Sequence, residues 1–213
     1  MLLKDLLSDV PGVLETRGDA EIQALVTDSR EKARNGLFFC ISGMRFDAHD
    51  FAAQAVENGC VALVVEHFVD SPVAQVRVDN VRRAAAYIAA AFYGHPARKL
   101  RMVGVCGTKG KTTTTYLMKA ILEKAGFKTG LIGTTGNLIG DRSLPSNMTT
   151  PDPVDLHRCL RQMVDEGVEA VSMEVSAHAV DMHRVGGITF EAACYTNFSQ
   201  DHLDYFGTME NYF

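Results

Sequence analysis

The chain has 213 residues, 46% of them hydrophobic and 22% charged, with a net charge of −5. That balance describes a globular protein, excludes a disordered one and argues against a nucleic-acid partner held by phosphate neutralisation. No apolar run approaches the ~20 residues of a membrane-spanning helix, and the start lacks the basic head, apolar core and small-residue cleavage site of a signal peptide. The five cysteines, Cys40, Cys60, Cys106, Cys159 and Cys194, fall in or beside apolar segments and read as buried thiols of a reducing cytosol.

In chain order, Met1–Val10 reads as a short amphipathic helix. β-Prone runs follow at Leu37–Ile41, Val61–Val65 and Gln75–Val78, with helices predicted at Phe51–Glu57 and Val81–Tyr93 between and after them. Asn80 is positioned to cap the second helix, and Ala84, Ile88 and Phe92 would form its buried stripe. Strands alternating with helices indicate a small α/β layer over residues 1–95. Gly94-His95-Pro96-Ala97-Arg98-Lys99 breaks the pattern and reads as a linker to a second region, 98–213.

There, strand Met102–Cys106 is followed by a helix from Lys111 to Ala125 that Gly126 closes, with Leu117, Ile121 and Ala125 on one side. Strand Thr129–Ile132 leads into a loop carrying Thr134-Thr135-Gly136-Asn137. Asp152 is placed to cap a helix with Pro153 at its first position, ending before Gly167 and lined inside by Leu156, Leu160, Met163 and Val164. Strands Ala170–Val175 and Ala192–Thr196 complete what should be a mostly parallel sheet covered on both faces. Thr208 is expected to cap a helix just beginning at the end of the chain, so the sequence reads as a truncated piece that stops inside its second domain.

The chemistry begins at Val103–Thr113, where an apolar strand meets a helix through Gly107-Thr108-Lys109-Gly110-Lys111-Thr112-Thr113. Glycines let backbone N–H groups converge on phosphate oxygens, the helix start adds its dipole, Lys111 supplies a mobile charge, and the Thr112 hydroxyl can ligate magnesium. A Gly is usual five positions before the Gly of Gly-Lys; Val105 stands there, so this is a variant phosphate loop. The bland alternative is a tight strand-to-helix turn.

Ligands of open α/β sheets lie beyond the carboxyl ends of the strands, and three polar clusters occur at such ends. In Ser172-Met173-Glu174-Val175-Ser176-Ala177-His178, Glu174 is a candidate magnesium ligand, or a strand-end carboxylate facing solvent. In Thr196-Asn197-Phe198-Ser199-Gln200-Asp201-His202-Leu203-Asp204, His202 could ligate a metal with a carboxylate orienting it, and Asn197 could contact the adenine side of a nucleotide. An Asx-rich turn would use the same residues. Arg184 could hold a carboxylate or phosphate of an acceptor, or simply be solvated. In the first region, Asp28-Ser29-Arg30 and the glycines around the strands could bind a second anionic ligand. His67, His95 and His157 have no partners suggested by spacing.

Together these motifs resemble the Mur ligases of bacterial cell-wall synthesis, and within them the UDP-N-acetylmuramoyl-tripeptide synthetases. The family's ATP loop appears as Gly107–Thr112, its Glu-Val-Ser-Ser-His as Glu174–His178 with Ala177 replacing a serine, and its Thr-Asn…Asp-His-Leu-Asp as Thr196, Asn197 and Asp201–Asp204. Asp28-Ser29-Arg30 and Gly36-Leu37-Phe38 resemble the domain holding the UDP end of the substrate, and Thr149-Thr150-Pro151 the loop touching the muramoyl sugar, with Met148 where many members have Asn.

The resemblance implies a small α/β UDP-binding domain followed by an incomplete phosphate-loop α/β ATPase domain. It implies an ATP- and Mg²⁺-dependent amide ligase that adds lysine or meso-diaminopimelate to UDP-N-acetylmuramoyl-L-alanyl-D-glutamate through an acyl phosphate, acting as a cytoplasmic monomer. Lys111, Glu174 and His202 would be catalytic. Thr112, Glu174 and His202 would hold magnesium, and Ser29, Thr149, Thr150, Ser176 and Arg184 would contact the UDP-linked dipeptide. The family's carbamylated lysine, about fourteen residues past the histidine, and its third domain would lie beyond Phe213, leaving the 213 residues alone inactive. A sibling ligase of the same superfamily, a phosphate-loop ATPase that drives motion and a non-catalytic nucleotide-binding module are the alternatives. A motor ATPase would favour an Asp at a buried strand end, where this chain has Glu174.

Overall fold

A computed structural model describes residues 1–43, 46–144 and 148–213, which divide into two compact units, Met1–Gly94 and His95–Phe213. The first contains α1 (Leu3–Leu6), β1 (Val13–Arg17), β2 (Ala24–Val26), β3 (Gly36–Phe39), α2 (Ala52–Glu57), β4 (Cys60–Val65), β5 (Ala74–Val78) and α3 (Val81–Phe92). Its sheet runs β1-β5-β4-β3-β2, parallel except for the antiparallel edge β1.

The interior strands are the ones with unbroken apolar runs. Leu37, Phe38 and Phe39 of β3 and Leu63, Val64 and Val65 of β4 are all buried, as strands covered on both faces must be. The edges β1 and β2 escape a pattern search: four of the five β1 residues are exposed, and β2 has three residues. The amphipathic start shortens to the four residues of α1. Asn80 caps α3 by accepting a hydrogen bond from the Arg83 N–H at 2.9 Å, and Ala84 and Ile88 are fully buried beneath it.

The second unit contains β6 (Arg101–Cys106), α4 (Lys111–Lys124), β7 (Thr129–Gly133), β8 (Gly136–Ile139), β9 (Arg142–Leu144), α5 (Pro153–Asp165), β10 (Ala170–Glu174), α6 (Ala177–Asp181), β11 (Ala192–Tyr195), α7 (Leu203–Phe206) and α8 (Met209–Tyr212). Its sheet runs β11-β6-β10-β7-β8-β9; the first four strands are parallel and the last two are antiparallel hairpin additions. The expected Thr134–Asn137 loop is thus mostly hairpin, with a two-residue tip at Thr134-Thr135. Pro96–Lys99 of the expected linker forms a short 3-10 turn whose Ala97 is buried against the second unit's core.

Alternation along the strands sets the layers. Met102, Ile132, Val171 and Met173 pack with Leu156, Leu160 and Met163 of α5, while Ser172, on the opposite face, donates its hydroxyl to the Thr115 carbonyl of α4. Two expectations are corrected. Leu117 and Ile121 are 60% and 67% exposed, because α4 seats Thr115 and Lys119 on the sheet instead. Strand β11 is mostly exposed, since it forms the sheet's edge among the described residues. Among those residues no helix is long and apolar enough to cross a membrane.

His157 of α5 has no exposed surface; its Nε2 lies 3.3 Å from the Gly186 carbonyl, and its Nδ1 has no hydrogen-bond partner among the described residues. Burial pushes its pKa down from 6.5 to about 4. As pH falls below 6.5 the unfolded chain takes up this proton first, so stability is full above 6.5 and drains away between 6.5 and 4. Chemical denaturation at pH 7.5 and pH 5 should show the parent losing about 2 kcal/mol more than His157→Gln over that interval.

Candidate nucleotide site

Strands β6, β7, β10 and β11 are parallel, so their carboxyl ends share one edge, and the polar clusters gather there. Strand β6 runs on through Cys106, one residue past the position where a glycine is usual. The turn falls instead on Gly107, at φ +121°. A Cβ at Gly107 would overlap Thr196 Oγ1, so the loop lies directly against the end of β11.

Asn197 and Thr196 fasten it there. The Asn197 carboxamide accepts from the Lys109 N–H at 3.1 Å and donates to the Lys109 carbonyl at 2.9 Å, and the Asn197 carbonyl accepts from the Thr108 N–H at 2.9 Å. Thr196 donates to the Lys109 carbonyl at 2.7 Å. Where Asn197 was expected to face adenine, both ends of its amide are committed to the loop backbone. With the Thr108 and Lys109 N–H groups so engaged, the amides left to meet an anion include those of Gly110 and of the first turn of α4, from Lys111 to Thr113, where the helix dipole adds to them. Lys111 Nζ lies over the same turn, donating to the Gly107 and Thr108 carbonyls at 2.7 and 3.0 Å.

Glu174 ends β10 with 1% of its surface exposed. Thr112 Oγ1 donates to its Oε2 at 3.1 Å, the Thr134 N–H to Oε1 at 3.0 Å and Thr134 Oγ1 to Oε2 at 3.2 Å. All three donors are neutral, and among the described residues no Lys or Arg pairs with this carboxylate. Gly133 permits the approach, since a Cβ there would overlap Oε1. The pairing of Thr112 with Glu174 also sets the rotation of α4: with Thr112 on the sheet, Thr115 and Lys119 follow it inward and Leu117 turns out.

These groups line a cleft of about 540 Å³ shared with Thr149, Thr150, Ser176, His178, Arg184 and His202. His202, at φ +52°, stands edge-on to His178 with ring centroids 4.8 Å apart and its Nδ1 3.8 Å from Asp201 Oδ1. Burial, then the neighbouring His202 and Arg184, push the His178 pKa down. Among the described residues no three His, Cys, Asp or Glu side chains cluster to hold a metal by themselves. The donor set of one carboxylate and one hydroxyl beside a phosphate-loop helix still fits magnesium, which uses few protein ligands and completes its shell with phosphate oxygens and water.

The other expected residues hold the architecture as much as they line the cleft. Thr150 Oγ1 is buried, donating to the Glu174 carbonyl at 2.9 Å and accepting from the Ser176 N–H at 3.1 Å. Ser176 caps α6 through the Ala179 N–H. Thr149 Oγ1 lies 3.0 Å from Thr134 Oγ1. Arg184 donates to the Thr150 carbonyl at 3.0 Å, and its Nε sits 3.0 Å from Asp152 Oδ1 in a contact too poorly aligned for a hydrogen bond. Asp152 therefore faces Arg184 and makes no side-chain cap on α5. In the first unit, Ser29 is mostly buried and donates to Gln54 Oε1 at 2.7 Å, beside an exposed Asp28–Arg30 pair. Sequence reasoning left Thr134 and His178 out of the site: Thr134 sits on a hairpin tip without a motif, and His178 closes the Glu174 segment but was given no role.

The chain belongs to the Mur ligase family: residues 105–213, just over half of it, match the Mur ligase middle domain. Over 213 residues it is 52% identical to UDP-N-acetylmuramoyl-L-alanyl-D-glutamate--2,6-diaminopimelate ligase of Geobacillus thermodenitrificans, covering 100% of this chain and 44% of that protein. A solved structure of a UDP-N-acetylmuramoyl-L-alanyl-D-glutamate--2,6-diaminopimelate ligase matches with TM-score 0.76 at 28% identity, covering 90% of this chain and 39% of that one. MurF ligase of Thermotoga maritima, solved in complex with ADP, matches with TM-score 0.59 at 27% identity over 89% of this chain and 41% of that one. The chain thus spans less than half the length of these relatives.

The tight seat of Gly107 makes it a test of the loop. Gly107→Ala should lower the stability of the second unit by about 2–3 kcal/mol, through the clash and the positive φ, and weaken nucleotide binding. Thermal denaturation of the variant beside the parent checks it.

Proposed function

We propose that this chain forms the UDP-binding and ATP-binding parts of an ATP-dependent amide ligase that extends UDP-N-acetylmuramoyl-L-alanyl-D-glutamate by one amino acid. Likeness to the Geobacillus ligase favours 2,6-diaminopimelate as that amino acid. The observation that carries the reading is the Thr112–Glu174 pair set under a phosphate-loop helix, inside a cleft whose other wall bears Arg184 and Thr149.

In this scheme the acceptor's terminal carboxylate takes the γ-phosphoryl group of ATP, and the incoming amine displaces phosphate from the acyl phosphate. Lys111 and the first-turn amides of α4 neutralise charge as it moves between phosphates. Magnesium, when bound, screens the phosphate oxygens; Thr112 and Glu174 would hold it, with His202 serving a second ion beside the same cleft. Thr149, Ser176 and Arg184 orient the peptide end of the acceptor, Thr150 keeps their loop in place, and Ser29 lies in the unit that takes the uridine diphosphate. Five free thiols and the lack of a membrane-spanning helix among the described residues agree with a cytoplasmic setting.

Calorimetric titration with the UDP-linked dipeptide, with UDP-glucose as control, tests the substrate. The dipeptide should bind more tightly, and equal affinity for the two would move the reading to another nucleotide-sugar protein. In a ligase carrying this chain, Lys111→Ala should lower kcat/KM by about 10²–10³, the usual loss for a transition-state charge contact. A variant within threefold of the parent would remove Lys111 from the chemistry.

A further inference from the structure

Nothing in the sequence marks the tip of the β7–β8 hairpin, yet the structure gives Glu174 two of its three hydrogen bonds from Thr134. The backbone N–H reaches Oε1 at 3.0 Å and the side-chain hydroxyl reaches Oε2 at 3.2 Å. Both carboxylate oxygens are thereby addressed by one residue, which fixes the plane of the group. The tip is itself held from two sides: Thr135 Oγ1 lies 2.8 Å from Tyr116 Oη on α4, and Thr134 Oγ1 lies 3.0 Å from Thr149 Oγ1. Strand pairing of Gly133 with Gly136 closes the turn, and Gly133 leaves the room that Oε1 occupies.

We propose that Thr134 is a positioning residue that aims the Glu174 carboxylate at a divalent cation and ties its orientation to the acceptor-side loop through Thr149. A hydroxyl has one proton to give. When Thr134 donates it to Oε2, its oxygen is left to accept from Thr149, and the three groups align as Thr149 → Thr134 → Glu174. Oε2 accepts two of the bonds and Oε1 one, which leaves a lone pair of Oε1 for the cation, alongside the Thr112 hydroxyl. Partners of this kind, one bond removed from the ion, set metal affinity as well as geometry. The inference rests on the nucleotide-site reading above and adds to it the residue that orients its carboxylate.

The test uses Mn²⁺ as a paramagnetic probe. The 213-residue chain is titrated with Mn²⁺ in the presence of a non-hydrolysable ATP analogue and followed by electron paramagnetic resonance, for the parent, Thr134→Val, Thr134→Ser and Glu174→Gln. Metal-free nucleotide affinity and melting temperature are measured in parallel. Thr134→Val keeps the shape and the backbone N–H but loses the hydroxyl, so Mn²⁺ should bind about tenfold more weakly. Metal-free nucleotide affinity should stay near that of the parent, while the melting temperature should fall by a few degrees for the lost bond to Glu174. Thr134→Ser should restore Mn²⁺ affinity to within about twofold of the parent. Thr134→Val matching the parent, or Thr134→Ser falling as far as Thr134→Val, would overturn the positioning role while leaving the site intact. A parent indistinguishable from Glu174→Gln would overturn the site reading itself, and this proposal with it.

Discussion

A buried carboxylate surrounded only by neutral donors constrains the second unit more than any other group. Taking Glu174 out of water costs several kcal/mol, and three hydrogen bonds to a charged acceptor return on the order of 1.5–3 kcal/mol each. Those bonds come from two separate pieces of chain: the first turn of α4, and a hairpin tip whose Thr134 gives both its backbone N–H and its hydroxyl. Each must be delivered to the end of β10. The rotation of α4, the absence of a side chain at Gly133 and the tight β7–β8 turn follow from that requirement.

The same requirement explains what could be read from the sequence and what could not. Continuous apolar runs at Leu37–Phe39 and Leu63–Val65 and the Asn80 and Thr208 caps are local signals, and the structure honours them. The loop glycines and Lys111 were legible because phosphate chemistry dictates residue types at fixed spacing. Periodicity on α4 could not tell its inward face from its outward one, because Leu117 and Ile121 mark an apolar stripe while Thr112 decides which stripe meets the sheet. Asp152 had the sequence of a cap, but a guanidinium thirty-two residues later offers it an ion pair, which no local rule contains. Strands β8 and β9 have only four and three residues, and they form by pairing, β8 on the edge of β7 and β9 on β8.

Asn197 illustrates how a motif residue can be read from the sequence without its partners. Its position after a strand end, close to the phosphate loop, followed from the chain pattern. That both ends of its amide would meet one backbone unit, at Lys109, depends on the separation of β6 and β11 as neighbours in the sheet. The loop is rigid because a neighbouring strand end holds it, and the amides aimed at an anion are those of a helix whose start cannot drift.

The left-handed backbone of His202 carries its own consequence. For a residue with a side chain this conformation costs roughly 1–2 kcal/mol, and glycine adopts it freely. The polypeptide at this point would therefore be sturdier with a simpler residue, and selection for stability alone would erode the imidazole. With the ion-holding role proposed for it, this would be a position where strength is given up for chemistry, a trade common where a protein holds its reactive groups. A glycine or asparagine in its place would leave the backbone at ease, so any function lost on such an exchange would belong to the ring and not to the fold.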